Sequence, residues 1–152
     1  MPTPNPEYVV RLKKLVKEAP YPSHMNMELA GIDMDTAVVE LTLDEYHMQP
    51  FGIVHGGVLA TMIDTATFWA AFLRLPDGDG LVNADLKLNY LKAVEKGVLR
   101  AEGKCLRYGR SVSYAESSVV DEAGELVAHG TSTLMALPGK GLRVGVDKFL
   151  PE

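Results

Sequence analysis

Asp64 is the residue whose type and position most strongly suggest chemistry. It lies in residues 49–73, QPFGIVHGGVLATMIDTATFWAAFL, where a helix is predicted over residues 58–73 with only four polar positions. A helix that is apolar on nearly every side is usually buried, and an Asp is rarely buried without a partner. A carboxylate in such a place acts as a general base for water, as a nucleophile, or as a structural group bonded to a neighbouring hydroxyl.

The turn before this helix contains a second candidate, Gly56 with Gly57. A helix N-terminus presents unpaired backbone N–H groups and partial positive charge, and two glycines leave the approach to these groups open. This combination suits an oxyanion hole, although two glycines also serve simply to make a tight turn. His55 precedes them, and we expect its ring nitrogens to fix the loop.

Asp64 shares one stripe of the helix with three neighbours. At about 100° per residue, the members of this stripe are Thr61, Asp64, Thr65 and Phe68. Four apolar side chains nearby either shape a pocket for an apolar group or belong to the core: Met62, Phe68, Trp69 and Phe72. On the loop before the glycines, Gln49 is either an exposed amide or a substrate contact.

Apolar periodicity and turn signals predict the elements that position this helix. Residues 8–19 form an amphipathic helix, capped by Asn5 with Pro6 at the first helical position. Strands are predicted over residues 25–32, 36–43, 81–91, 98–107, 111–121 and 125–137, with turns at 33–35, 95–97, 108–110 and 121–124. Within residues 81–91, alternation places five side chains on one face: Val82, Ala84, Leu86, Leu88 and Tyr90.

The element order β-β-α-β-β-β-β after a leading helix predicts a single α+β domain. In this fold the long apolar helix packs on an antiparallel sheet, and the signal at residues 95–97 predicts a hairpin. We expect the domain to span residues 24–137. Residues 1–23 then form an N-terminal arm with a short helix, of which residues 1–7 are expected to be loose, and residues 138–152 form a C-terminal tail without an assigned role.

The composition excludes several classes of protein. The chain of 152 residues is 47% hydrophobic and 23% charged with a net charge of -5, and such an acidic chain lacks the basic surface that a nucleic-acid partner requires. Cys105 is the only cysteine, which rules out a disulfide within the chain, and we expect it in the core. The four histidines show no HxxH or HExxH spacing, so we expect no metal and no bound cofactor.

The chain is also predicted to have no membrane partner. The apolar run of residues 58–73 is short for a membrane span and contains Asp64. The N-terminus has no signal-peptide pattern, so a cytoplasmic location is expected.

Three stretches match a known pattern in the same order. The first is G-x-x-HGG with an Asp on the following helix: Gly52, His55, Gly56, Gly57 and Asp64. The second is VNADLKLNYLKAV, residues 82–94, and the third is LRYGRSVSYAESSVVDEAGELVAHGTSTLMAL, residues 106–137. Together these stretches resemble the hotdog-fold acyl-CoA thioesterases of the 4-hydroxybenzoyl-CoA thioesterase superfamily, over roughly residues 24–137. The phenylacetate-degradation, or PaaI-like, type is the most similar.

The resemblance implies a hydrolase that converts an acyl-CoA to a free acid and CoA, with CoA as part of the substrate and no cofactor. It implies a curved sheet around the central helix and a homodimer or homotetramer with active sites between subunits. In such a site the helix carboxylate comes from one chain and the loop-to-helix turn from the other. The acyl group is not implied.

The resemblance also assigns roles to individual residues. Asp64 matches the catalytic carboxylate, Gly56 the residue whose backbone N–H polarises the thioester carbonyl, and Gln49 a position near the carbonyl or the attacking water. Asn83 falls where some relatives have a Ser or Thr that helps to place water. Two further residues fall near positions where relatives contact CoA phosphates: Arg107 and Arg110.

Two other readings of the same residues stay open. A hotdog hydratase or dehydratase needs a His and a carboxylate acting together, but His55 and Asp64 are separated by the Gly-Gly turn typical of thioesterases. A non-catalytic acyl-CoA-binding hotdog protein would keep the pocket and would not need Asp64. An α/β-hydrolase triad is unsupported because the chain has no GxSxG motif.

Overall fold

A six-stranded antiparallel sheet curves around one long helix in the computed structural model, which describes all 152 residues. The helices are α1 (Pro6–Glu18), α2 (Pro20–His24) and α3 (Gly56–Phe72). The strands are β1 (Met27–Asp33), β2 (Thr36–Thr42), β3 (Gly80–Tyr90), β4 (Val98–Arg107), β5 (Val112–Val120) and β6 (Leu126–Leu137). The predicted element order is confirmed. The short helix α2 is an addition, because a proline that ends one helix can also begin the next.

The sheet order differs from the order of the strands along the chain. It is β1-β2-β4-β5-β6-β3, so β3 is an edge strand beside β6 and does not neighbour β4. The hairpin predicted at residues 95–97 is therefore wrong. The connection from β3 to β4 is instead held by β6 and by the loop before α3: Leu91 N–H donates to Val127 O (2.8 Å) and Val54 N–H to Val94 O (2.8 Å). A local turn signal indicates where the chain reverses, whereas long-range pairing decides which strands become neighbours.

A bulge in β3 overturns the alternation predicted for that strand. The register with β6 shifts between Asn83 and Asp85, which leaves Ala84 as the extra residue. An extra residue moves the following side chains to the opposite face. Val82 is accordingly exposed on the outer face, whereas Leu86 is half-buried and packs against the core.

Three small residues in neighbouring strands allow α3 to lie very close to the sheet. Gly103 in β4 is opposite Ser117 in β5, which is opposite Gly130 in β6. A Cβ added to Gly103 would lie 2.2 Å from the carbonyl oxygen of Ala66, and one added to Gly130 would lie 3.1 Å from Ile63 Cγ2. These contacts thus fix the distance between the sheet and the helical turn that carries Asp64.

The two ends of the chain are bonded to each other, so residues 1–7 are not the loose arm that was expected. Pro4 and Phe149 form an antiparallel bridge, and Asn5 N–H donates to Lys148 O (2.9 Å). Asn5 also caps α1, as predicted. The buried Lys148 donates from Nζ to Leu75 O (2.7 Å), just beyond α3, which ties the C-terminal segment to the central helix.

Candidate active site

The carboxylate of Asp64 lies on the one stripe of α3 that the rest of the chain leaves open. Ten residues of α3 are buried, but the predicted stripe is half-buried at all four positions: Thr61, Asp64, Thr65 and Phe68. Burial raises the pKa of Asp64 above its ordinary value, and no hydrogen bond or ion pair acts against this effect. The Asp64 carboxylate is therefore partly desolvated and has no hydrogen-bonding or charged partner in the chain.

Neighbouring hydroxyl groups do not satisfy this carboxylate. Thr65 Oγ1 donates to the Thr61 carbonyl oxygen (2.7 Å). Thr61 Oγ1 is 2.7 Å from the hydroxyl of Tyr21, which α2 places beside the stripe. A purely structural role for Asp64, in which an adjacent hydroxyl donates a hydrogen bond to its carboxylate, is therefore not observed.

Only one of the four apolar candidates borders the open stripe. Phe68 is half-buried there, and its ring packs edge-on against Trp69 and stacks with Phe72. The other three are core residues: Met62, Trp69 and Phe72. Cys105 is also buried in the core, as predicted.

Asn83 holds the backbone of the turn that carries Asp64. Its Nδ2 lies 2.7 Å from Ser132 Oγ and 3.3 Å from both the Asp64 carbonyl oxygen and Thr67 Oγ1. The amide nitrogen is thus fully engaged by protein groups. The β3 bulge brings Asn83 to the helix, which no local sequence pattern predicts.

The first turn of α3 has one free backbone donor. His55 is the N-cap, and its Nδ1 accepts the Gly57 N–H (2.7 Å), so the ring proton is on Nε2. The Val58 N–H donates to the His55 carbonyl oxygen (2.9 Å). The Gly56 N–H points out of the helix start without a partner in the chain, as an oxyanion donor requires.

A second histidine anchors the loop before α3, and sequence reasoning missed it. His47 is 1% exposed. Its Nδ1 accepts the Asp44 N–H (2.8 Å) and its Nε2–H donates to Met25 O (2.7 Å), while its carbonyl oxygen accepts the His55 N–H (2.9 Å). The only signal was the three-residue spacing from Asp44, which forms a capping box.

Gly56 and Gln49 line the same shallow depression, of about 520 Å³, together with Leu59, Tyr90 and Leu91. Gln49 Oε1 accepts the Phe51 N–H, which leaves the side-chain NH₂ group free. Tyr90 lies over Gly56, since a Cβ at position 56 would be 2.9 Å from Tyr90 Cζ. Sequence reasoning missed Tyr90, because the contact joins residues that are far apart in the chain.

Within one chain the depression and Asp64 are separate. Asp64 is eight residues after Gly56 in α3, which corresponds to about 12 Å along the helix axis. One thioester group is too small to contact both. The candidate residues thus form two separate groups within one chain. Gln49 lies with Gly56, whereas the group around Asp64 contains Thr65, Phe68 and Asn83.

The arginines lie at the opposite end of the molecule from Gly56. The turn between β4 and β5, which carries Arg107 and Arg110, adjoins the β1–β2 turn, since Cys105 N–H donates to Asp35 O (2.8 Å). Asp35 in turn forms a two-point ion pair with Arg74, just beyond the C-terminal end of α3. Both candidate arginines are exposed.

No three His, Cys, Asp or Glu side chains lie close enough together to hold a metal ion. None of the helices combines the length and hydropathy needed to cross a membrane.

Residues 51–128, about half of the chain, match the family described as Thioesterase superfamily. The chain belongs to the Thioesterase superfamily. A Saccharolobus solfataricus relative named as an esterase is 33% identical over 68% of this chain and 74% of its own length. The proofreading thioesterase EntH of Cronobacter turicensis is 29% identical over 66% of this chain and 74% of its own length.

The solved structure of a Haemophilus influenzae thioesterase is similar to this superfamily member, with a TM-score of 0.82 and 25% sequence identity. The similarity covers 91% of this chain and 96% of that one. The predicted hotdog fold is thereby confirmed. Membership in the superfamily and relatives named as esterases and thioesterases support a hydrolase that acts on thioesters.

Proposed function

We propose that this protein hydrolyses an acyl-CoA to the free acid and CoA. The observation that carries the proposal is the half-buried, unpartnered carboxylate of Asp64 on the open stripe of α3. As a general base, Asp64 takes a proton from water while the water oxygen attacks the thioester carbonyl carbon. As a nucleophile, its oxygen attacks that carbon and forms a mixed anhydride, which water then hydrolyses. In either case the C–S bond breaks and CoA leaves as the thiolate.

The Gly56 N–H has the matching role of donor to the carbonyl oxygen. This oxygen gains negative charge as the tetrahedral intermediate forms, so a fixed N–H at a helix start stabilises the transition state more than the substrate. Gln49 offers its free NH₂ group in the same depression, to the carbonyl or to the attacking water. His55 acts by holding the turn.

A second copy of the chain completes the site in this proposal. The separation of about 12 Å between Gly56 and Asp64 in one chain requires the donor and the carboxylate to come from different chains. The edge strand β3, eleven residues long and without proline, offers unpaired backbone groups to a second β3. Two-fold antiparallel pairing would bring the Gly56 end of one copy towards the middle of α3 in the other. A dimer, or a dimer of dimers, is therefore the expected assembly.

The same pairing suggests how CoA binds. Arg107 and Arg110 lie far from the Gly56 of their own chain, near the C-terminal end of α3. In the proposed antiparallel pairing, this end of one copy faces the Gly56 end of the second copy. Arg is well suited to phosphate. We therefore assign the CoA phosphates to these arginines, and the acyl group to the stripe that Phe68 and Thr65 border.

The decisive experiment measures thiol release from short, long and aromatic acyl-CoAs by the wild type and by Asp64→Asn. We expect turnover of at least one substrate by the wild type and a loss of about 10²–10⁴-fold in kcat for the variant. Glu95→Gln, which removes an exposed carboxylate from the loop before β4, is the matched control and should keep full activity.

Wild-type turnover by Asp64→Asn would refute the catalytic role of the carboxylate. If the wild type hydrolyses none of the substrates but acyl-CoAs raise its melting temperature, the protein is a non-catalytic binder and the proposal fails.

A further inference from the structure

The start of α3 supplies fewer oxyanion donors than its glycines suggest. Gly57 N–H is taken by His55 Nδ1 (2.7 Å), and Val58 N–H by the His55 carbonyl oxygen (2.9 Å). Only the Gly56 N–H is free. An oxyanion is normally bound by more than one donor, because each removed donor costs about 10²–10³-fold in rate. A second donor at this position must come from a side chain.

Tyr90 is the side chain closest to the Gly56 position. A Cβ placed on Gly56 would lie 2.9 Å from Tyr90 Cζ, 3.0 Å from its hydroxyl oxygen and 3.1 Å from Cε1. The ring stands at the end of β3, 58% exposed, on the wall of the depression that Gly56 and Gln49 also line. Its hydroxyl makes no hydrogen bond within the chain, whereas that of Tyr21, which is similarly exposed, is bonded to Thr61. A phenol next to a free N–H can donate to the same oxygen.

The cation nearest to this depression is already engaged. Lys92 also lines it, but its Nζ forms ion pairs with Asp121 (2.6 Å) and Glu125. Asp121 correspondingly has a lowered pKa, chiefly through the Lys92 hydrogen bond. Lys92 is thus engaged by carboxylates. The NH₂ group of Gln49 is also free in this depression, but Tyr90 is the unengaged donor whose hydroxyl oxygen lies 3.0 Å from a Cβ on Gly56.

We propose that the Tyr90 hydroxyl donates the second hydrogen bond to the thioester carbonyl oxygen, beside the Gly56 N–H. This inference rests on the proposed thioesterase function and names a catalytic residue that the sequence did not reveal. The step involves no proton transfer. The hydroxyl keeps its proton, and its hydrogen bond strengthens as the C=O electron pair moves onto the oxygen. The geometry also explains why position 56 is a glycine, since a side chain there would displace the Tyr90 ring from the oxygen.

The test is Tyr90→Phe, which removes the hydroxyl and keeps the ring over Gly56. We expect kcat on the best acyl-CoA to fall by about 10–10³-fold with KM changed by less than about threefold, because the bond strengthens only in the transition state. Tyr46→Phe is the matched control. Tyr46 is 56% exposed, lies in the 3₁₀ turn Glu45–His47, and is not part of the depression. This variant should keep the wild-type kcat.

Binding is measured separately in inactive proteins. The Kd of the same acyl-CoA is compared between Asp64→Asn and Asp64→Asn/Tyr90→Phe, and equal values are expected. A Tyr90→Phe kcat within twofold of wild type, or a loss confined to KM and Kd, would overturn the role of the hydroxyl while leaving the thioesterase proposal intact. A wild type that hydrolyses no acyl-CoA would refute both.

Discussion

Asp64 combines a cost to the fold with a proposed catalytic role at one position. Its folded-state pKa is raised by burial, so the charged form is less stable in the folded protein than in the unfolded chain. The protonated form favours folding at low pH, and this advantage is lost as pH rises through the folded-state pKa. The proposed function gives this costly carboxylate a chemical role, because perturbed pKa values cluster at functional sites.

The pH dependence of catalysis should report this shift. Because the carboxylate must be ionised to act as base or nucleophile, kcat should rise with pH through a pKa above the ordinary value of 3.8 and then level off. A pH–rate profile between pH 4 and 8 measures it. A second copy that covers the stripe should raise the pKa of Asp64 further, because desolvation causes the shift.

Stability provides the control for this prediction. Asp64→Asn should melt at or above the wild-type temperature at pH 7, and the difference should shrink on acidification below the folded-state pKa. A clear drop in melting temperature at pH 7 would indicate that the carboxylate stabilises the fold, contrary to its unpartnered position.

At the scale of elements, the contact between α3 and the sheet decides where the site lies. Gly103 permits this contact, since a Cβ there would be 2.2 Å from the carbonyl oxygen of Ala66. A backbone oxygen in a helix cannot move aside as the end of a side chain can. The distance between the sheet and the helical turn that carries Asp64 therefore depends on Gly103. Sequence periodicity treats this position like any other alternating residue of the strand.

Gly103→Ala should lower the free energy of unfolding by about 1–3 kcal/mol, as overpacking of a core does. At roughly 2–4 °C per kcal/mol for a domain of this size, the loss is measurable as a shift in melting temperature. Gly31→Ala is the matched control, because the nearest atom to a Cβ there is 3.8 Å away and the backbone is not left-handed. Equal melting temperatures for the two variants would show that α3 is free to shift away from the sheet.

At the scale of the whole molecule, one chain carries all the proposed catalytic groups but not one complete site. Gly56 and Asp64 lie on the same rigid helix, so no motion within the chain brings them together. Only the assembly of two copies can place a donor beside a carboxylate of the other chain. The proposed activity therefore requires at least a dimer.

Mixed dimers test this requirement directly. Asp64→Asn and Gly56→Leu proteins should each be inactive, the second because its side chain fills the depression beside Tyr90. After subunit exchange, half of the dimers are mixed, and each has one site with both groups intact, so about a quarter of wild-type activity should return. Light scattering verifies that both variants are dimers. If the mixture stays as inactive as its parents although mixed dimers form, the site lies within one chain.

The sequence by itself determined the order of the elements, the apolar central helix and the anomaly of Asp64, because periodicity and local capping are properties of neighbouring residues. It also indicated the glycine turn and the cap at Asn5. Tertiary structure alone decided that β3 lies at the sheet edge, that a bulge turns Asn83 towards α3, and that the chain termini pair. It also placed Tyr90 beside Gly56. These features depend on contacts between residues distant in the chain, where packing and strand pairing override every local signal.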